Sequence, residues 1–301
     1  MILVGKGRSN MNQVKHLLSV QNKCGEIPNW IPEKKELYWS DFDGKRFFTF
    51  SPETGSYKEY TLEHLIGGWG RRNDGGWIVS TEEGIAFWDE QSLLFDLLVK
   101  PDGDKENIMC GDAAVDRQGR FLVGTMDVVT FDAPNSSLFS YSPDGTLVRL
   151  DSGFALSNGI GFSPAGDRLY FTDMFHHRIL AYEYNGKTGE IGKRRVFAEI
   201  PEENGMPDGL IVDSEGFVWS CHWGGWCVTR YNASGSVERV IELPVSNVTC
   251  CAFGGENLTD LYITTAWKGL SEEERNAQPL AGDLFMVKTD VQGLLEPRFA
   301  G

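Results

Sequence analysis

Three oxygen-bearing side chains stand at matching places in the chain: Glu26 in Gly25-Glu26-Ile27-Pro28, Asn158 in Ser157-Asn158-Gly159, and Asp208 in Met206-Pro207-Asp208-Gly209. Glu26 lies 12 residues before Tyr38, Asn158 lies 12 before Tyr170, and Asp208 lies 11 before Trp219. Two carboxylates and an amide carbonyl brought together make an all-oxygen site for one hard divalent cation. Calcium, manganese and magnesium suit such donors, with waters completing the shell; zinc is a further candidate, less favoured because the slot holds no His or Cys. The plainer alternative is that Asn158-Gly159 and Asp208-Gly209 are only turn residues entering strands. Turn chemistry, however, does not require three such residues to share one phase of a repeat.

The repeat itself sets the fold. Six similar apolar phrases, each a strand, centre on Tyr38, Ile78, Leu122, Tyr170, Trp219 and Tyr262, at intervals of 40, 44, 48, 49 and 43 residues. A further strand follows each of them: 46–50, 85–88, 138–141, 178–184, 227–231 and 283–287. Turn residues then lead into a fourth, as at 147–150 and 237–243. Four short strands per unit of 40 to 50 residues is the pattern of an all-β, six-bladed β-propeller with four-stranded blades. The reading places the propeller at residues 21–301, as one domain. Residues 1–20 form an N-terminal arm with helical potential over Met11–Val20, and Ser271–Asn276 a helical turn. In a propeller the innermost strands line a central channel, so Glu26, Asn158 and Asp208 are expected to meet there as a metal site. The same slot holds Gly111 in the third unit and about Thr249 in the sixth.

Composition narrows the partners. With 41% hydrophobic and 24% charged residues the 301-residue chain has the balance of a soluble globular protein. A formal charge of −15 argues against nucleic acid and against anionic membrane surfaces, both of which need a basic face. No run approaches the roughly 18 apolar residues of a membrane span. The N-terminus lacks the order of a secretory signal, and Met11 is a second candidate start. Six cysteines without a CxxC pair or a Cys/His finger spacing read as reduced thiols in a cytoplasmic protein. There is no Gly-x-Ser-x-Gly and no His-Glu-x-x-His, so a serine esterase or a zinc peptidase has no local support. The Trp and Tyr residues at 67–77 and 219–226 read mainly as packing between blades.

From about Gly25 to Phe285 the chain resembles the SMP-30/gluconolactonase/regucalcin-like lactonases. The resemblance rests on Ser157-Asn158-Gly159 with Leu169-Tyr170-Phe171-Thr172-Asp173, and on Gly205-Met206-Pro207-Asp208-Gly209 with Val212-Asp213. It rests also on Val248-Thr249-Cys250-Cys251-Ala252-Phe253-Gly254-Gly255 and Pro279-Leu280-Ala281-Gly282-Asp283-Leu284-Phe285. It implies a six-bladed propeller with one divalent cation near the axis, held by Glu26, Asn158 and Asp208. The implied activity is metal-dependent hydrolysis of a sugar-derived lactone, with Asp208 also acting as base on the attacking water. Two departures bear on specificity. Where many members read Arg-x-Asn-Asp-Gly, this chain has Met109-Cys110-Gly111-Asp112-Ala113, so only Asp112 remains. Ile27 stands where a glycine is common.

Losing a guanidinium and an amide implies a roomier, more apolar wall and a less hydroxylated or bulkier lactone or ester as substrate. The candidate substrate contacts are Met109, Gly111, Asp127, Phe175 and His222. Two other readings remain: hydrolysis of another ester or phosphoester on the same metal platform, and a calcium- or ligand-binding propeller without turnover.

Overall fold

The structure, a computed structural model, describes residues 13–301. Six antiparallel sheets of four strands each are arranged as a six-bladed β-propeller. The innermost strands are Gly25–Ile31, Gly68–Arg71, Ile108–Val115, Ser157–Phe162, Met206–Val212 and Val248–Gly254, and they touch one another in that cyclic order. Each of the six sequence phrases is the second strand of its blade, and Tyr38, Ile78, Leu122, Tyr170, Trp219 and Tyr262 are all buried. These strands are apolar on both sides because each blade is covered by a neighbour on either face. The core is correspondingly divided into layers between blades. Tyr38, Phe47, Trp69, Trp77 and Trp88 fill one such layer, with edge-on aromatic pairs such as Trp69 and Trp77 at 5.1 Å.

Blade six is closed by the other end of the chain. Lys15–Leu18 pairs antiparallel with Leu284–Lys288, so the helical expectation for Met11–Val20 gives way to a strand at Lys15–Leu18, and the propeller begins before residue 21. Met11 lies outside the described residues. Asp283 fixes the join: its Oδ1 accepts from the backbone N–H of Val20 at 3.1 Å and Gln21 at 3.0 Å. Its Oδ2 accepts from Ser19 Oγ at 3.2 Å and lies 2.9 Å from His16 Nε2. Replacing it leaves buried donors unpaired, so Asp283→Ala is expected to cost about 2–4 kcal/mol. A urea midpoint unchanged from wild type would show that the seam carries no weight. The helical turn is present as Glu272–Ala277, capped by Ser271, whose side chain accepts from Glu274 N while Glu274 bonds back to Ser271 N.

One irregularity recurs where it matters. The pairing of the innermost strand with its neighbour shifts between Glu26 and Asn29, Cys110 and Ala113, Asn158 and Ile160, Pro207 and Leu210, and Val248 and Cys251. A bulge re-aims the residue it displaces. Five blades thus carry the same device at the same height of the channel.

Candidate active site

Glu26, Asn158 and Asp208, 182 residues apart at the extremes, line one cavity of about 260 Å³ at the channel. The bulges account for this convergence, and two glycines allow it. A Cβ at Gly159 would stand 2.5 Å from Leu210 N, and one at Gly209 would stand 2.5 Å from Cys250 Sγ. These glycines therefore permit adjacent inner strands to approach, rather than serving a turn. In the first bulge Ile27 takes φ +44°, a left-handed conformation costly for a β-branched side chain. Local strain is thus held next to Glu26.

The three side chains are nearly sealed from solvent, Asp208 at 1%, Glu26 at 7% and Asn158 at 8% exposure. Asn158 Nδ2 donates to Asp208 Oδ1, and the Cys24 thiol donates to Glu26 Oε1 at 3.6 Å. Glu26 Oε2 is buried with no partner, as is Oδ2 of Asp112, a third carboxylate lining the same cavity. Burial pushes the Asp112 carboxyl up to about 8. Burial first, and then the Asp112 charge, raises Asp208 well above the usual carboxylate range; burial and then the charges of Asp208 and Asp112 do the same to Glu26. Oxygen acceptors crowded together, two of them orphaned, are poised to receive positive charge. Among the described residues no three His, Cys, Asp or Glu side chains are placed to share one ion. The fitting set is two carboxylates and an amide, which leaves coordination positions for water or substrate.

Other expected contacts divide. Gly111 and Phe175 line the cavity; Met109, Asp127 and His222 do not. Met109 is half-buried and pairs across the strands with Met126, which takes the lining position instead. Asp127 is turned inward to hold its own loop, accepting from Val129 N and Thr130 N at 2.9 Å and from Asn135 Nδ2 at 2.9 Å. His222 is buried, its Nδ1 2.9 Å from the Asn204 carbonyl and its Nε2 3.4 Å from Tyr231 Oη, and burial lowers its pKa. Its strand neighbour Trp223 faces the cavity. Thr249 points away too, donating to the Gly25 carbonyl at 2.5 Å as a tie between blades six and one.

The expected extra room at Gly111 is not there. A Cβ at that position would stand 2.5 Å from Met126 Cε, so the Met126 methyl occupies the space a longer side chain would use. The wall is more apolar without being wider.

Among the lining residues not foreseen are Asp112, Cys24, Met126, Phe131, Leu156, Met174, Trp223 and Lys268. Two carried a signal. Cys24 is two residues before Glu26, hence on the same strand face, and Asp112 follows the slot residue Gly111 inside the bulge. Lys268 and Phe131 sit on loops with no periodicity to mark them.

Comparison with known proteins agrees with this architecture. Residues 24–267 match the family described as the SMP-30/gluconolactonase/LRE-like region. The chain is 33% identical over 298 residues to pentonolactonase XacC of Haloferax volcanii, covering 95% of this chain and 97% of that one. It is 33% identical over 293 residues to 6-deoxy-6-sulfogluconolactonase of Pseudomonas putida, covering 97% and 100%. The crystal structure of a calcium-binding protein, regucalcin, from Agrobacterium tumefaciens superposes with a TM-score of 0.89 at 24% identity, over 94% of this chain and 96% of that one.

Proposed function

The chain belongs to the SMP-30/gluconolactonase/LRE-like family, and from that premise we propose that it is a divalent-cation-dependent lactonase whose substrate carries fewer hydroxyls than an aldonolactone. The observation that carries this reading is the meeting of Glu26, Asn158 and Asp208 from three blades, with a buried Glu26 oxygen left unpartnered. Glu26, Asp208 and the Asn158 amide oxygen would hold the cation, calcium, manganese or magnesium before zinc by donor type. When bound, it supplies Lewis-acid polarisation of the lactone carbonyl.

The remaining work falls to the chain's own side chains. Asp208 takes a proton from the water that adds to the carbonyl carbon; the ring C–O bond then breaks, and that proton passes to the departing ring oxygen, giving the hydroxy acid. Asn158, donating to Asp208 Oδ1, fixes which carboxylate oxygen is free for this. Met126, Leu156, Met174 and Phe175 keep bulk water from the ring. Asp112 lines the same cavity, and its carboxyl, raised by burial, offers an O–H to a substrate oxygen while it holds its proton. Relatives named as lactonases support ring opening; Met109 and Gly111 favour a narrower hydroxyl readout, or binding without turnover. Six unpaired, buried cysteines suit a reducing compartment, and we place the activity in the cytoplasm. Among the described residues no helix is long and apolar enough to cross a membrane.

The test is acid release from a panel of lactones and simple esters by metal-stripped protein, before and after calcium, manganese, magnesium or zinc is restored. Turnover that returns with the ion supports the reading. A folded protein that binds an ion yet turns over nothing on the panel would leave a binding propeller.

A further inference from the structure

The loop joining the second and third strands of blade three, residues 128–135, exposes Val128 at 39%, Val129 at 67% and Phe131 at 43%. Apolar surface of this kind is normally covered or used. Phe131 also lines the cavity and stacks on Phe175 of blade four, ring centroids 6.5 Å apart and planes 30° from parallel. The apolar wall of Met126, Leu156 and Met174 therefore continues outward as an apolar lip on blades three and four. Directly across the ring, after the second strand of blade six, stands Lys268. Its Nζ forms an ion pair with Asp43 Oδ2 at 2.7 Å. One side of the mouth is thus apolar and the other charged.

The lining has little with which to grip a polyol. Its side-chain donors, buried carboxyls aside, are Asn158, Cys24, Trp223 and Lys268. Asn158 already serves Asp208, and Cys24 already serves Glu26. The geometry points to a lactone bearing an alkyl chain as the preferred substrate. Its ring sits against Glu26, Asn158 and Asp208, and its chain leaves over the Phe131 and Phe175 pair toward Val128 and Val129. This rests on the lactonase reading and names the substrate class.

Each methylene buried along that path should raise kcat/KM about two- to fourfold. The experiment uses γ-lactones carrying no chain, a propyl chain and a hexyl chain on the metal-loaded full-length protein. In parallel, calorimetry measures binding of the matching γ-lactams, which are not readily hydrolysed. Rising kcat/KM and tightening Kd along the series are expected. Phe131→Ser should flatten both trends. Val129→Ser should weaken only the hexyl compounds, leaving the unsubstituted lactone as in wild type. If no lactone opens but the lactams still bind more tightly with chain length, the lactonase reading falls and the alkyl path stands. Kd and kcat/KM that are level or worsen with chain length, or aldonolactones preferred to the hexyl lactone, would overturn it.

Discussion

Asp208→Asn is expected to lower kcat for ring opening by about 10³-fold or more while the protein folds as well as wild type, or better. Two losses combine. General-base assistance contributes typically about 10²–10⁴-fold, and an amide cannot take a proton from water at neutral pH. The substitution also removes one of the two anionic donors from the Glu26, Asn158 and Asp208 set, weakening cation affinity. The fold is spared because asparagine has the same shape, and its carbonyl can still accept from Asn158 Nδ2. Asp208 is 1% exposed, and its carboxyl is raised by burial and by the Asp112 charge, so a neutral side chain relieves a cost in the metal-free protein. The measurements are kcat on the best lactone of the panel, cation affinity by calorimetry, and the urea midpoint. Near-normal turnover with the cation still bound would remove Asp208 from the chemistry.

The propeller and the three-residue slot are legible in the sequence for one reason: a repeat that places equivalent strands in equivalent positions also brings equivalent side chains to one axis. What the repeat does not encode is not legible. Lys15–Leu18 is four residues long and has no pattern of its own; it is a strand because Leu284–Lys288 offers an unpaired edge more than 260 residues away. His222 and Trp223 are adjacent, and in a strand one residue of register decides which faces the cavity. The sequence suggests the histidine as a loop residue just past the strand, but it lies within Val218–Trp223, and the ladder from Pro207–His222 to Leu210–Ser220 turns it into the interior. Asp127 looks free in the sequence because its partners, Val129, Thr130 and Asn135, lie on an irregular loop. At Gly111 the missing side chain suggests space, but packing is settled by neighbours, and Met126 from the adjacent strand fills it. By sequence Asp112 is only what remains of a family motif; in the structure it is buried beside Glu26 and Asp208 and lines the same cavity.

That shared burial leads to the second large effect. In the metal-free protein, stability should fall as pH rises from about 5.5 to about 8, and a divalent cation should reverse much of the fall. The sign follows from proton counts. A carboxyl raised in the folded state keeps its proton there after the unfolded chain has lost it, near pH 4. Folding therefore takes up protons, and the free energy of unfolding decreases with pH until the folded group ionises too. For Asp112 that window runs from about 4 to about 8, and Glu26 and Asp208 are raised in the same direction. Every tenfold difference in proton affinity between the folded and unfolded chain corresponds to about 1.4 kcal/mol, so the combined effect is several kcal/mol. A cation at 100 times its Kd adds back about 2.7 kcal/mol by mass action, most effectively at the high end, where protons compete least for the carboxylates. Urea midpoints at pH 5.5, 7 and 8, with chelator and then with calcium or manganese, measure both parts. Asp112→Asn isolates its own share, because the variant should lose part of the slope while keeping the cation response. A metal-free midpoint that is level or rises across this range would mean that these carboxylates do not carry the burden their burial implies.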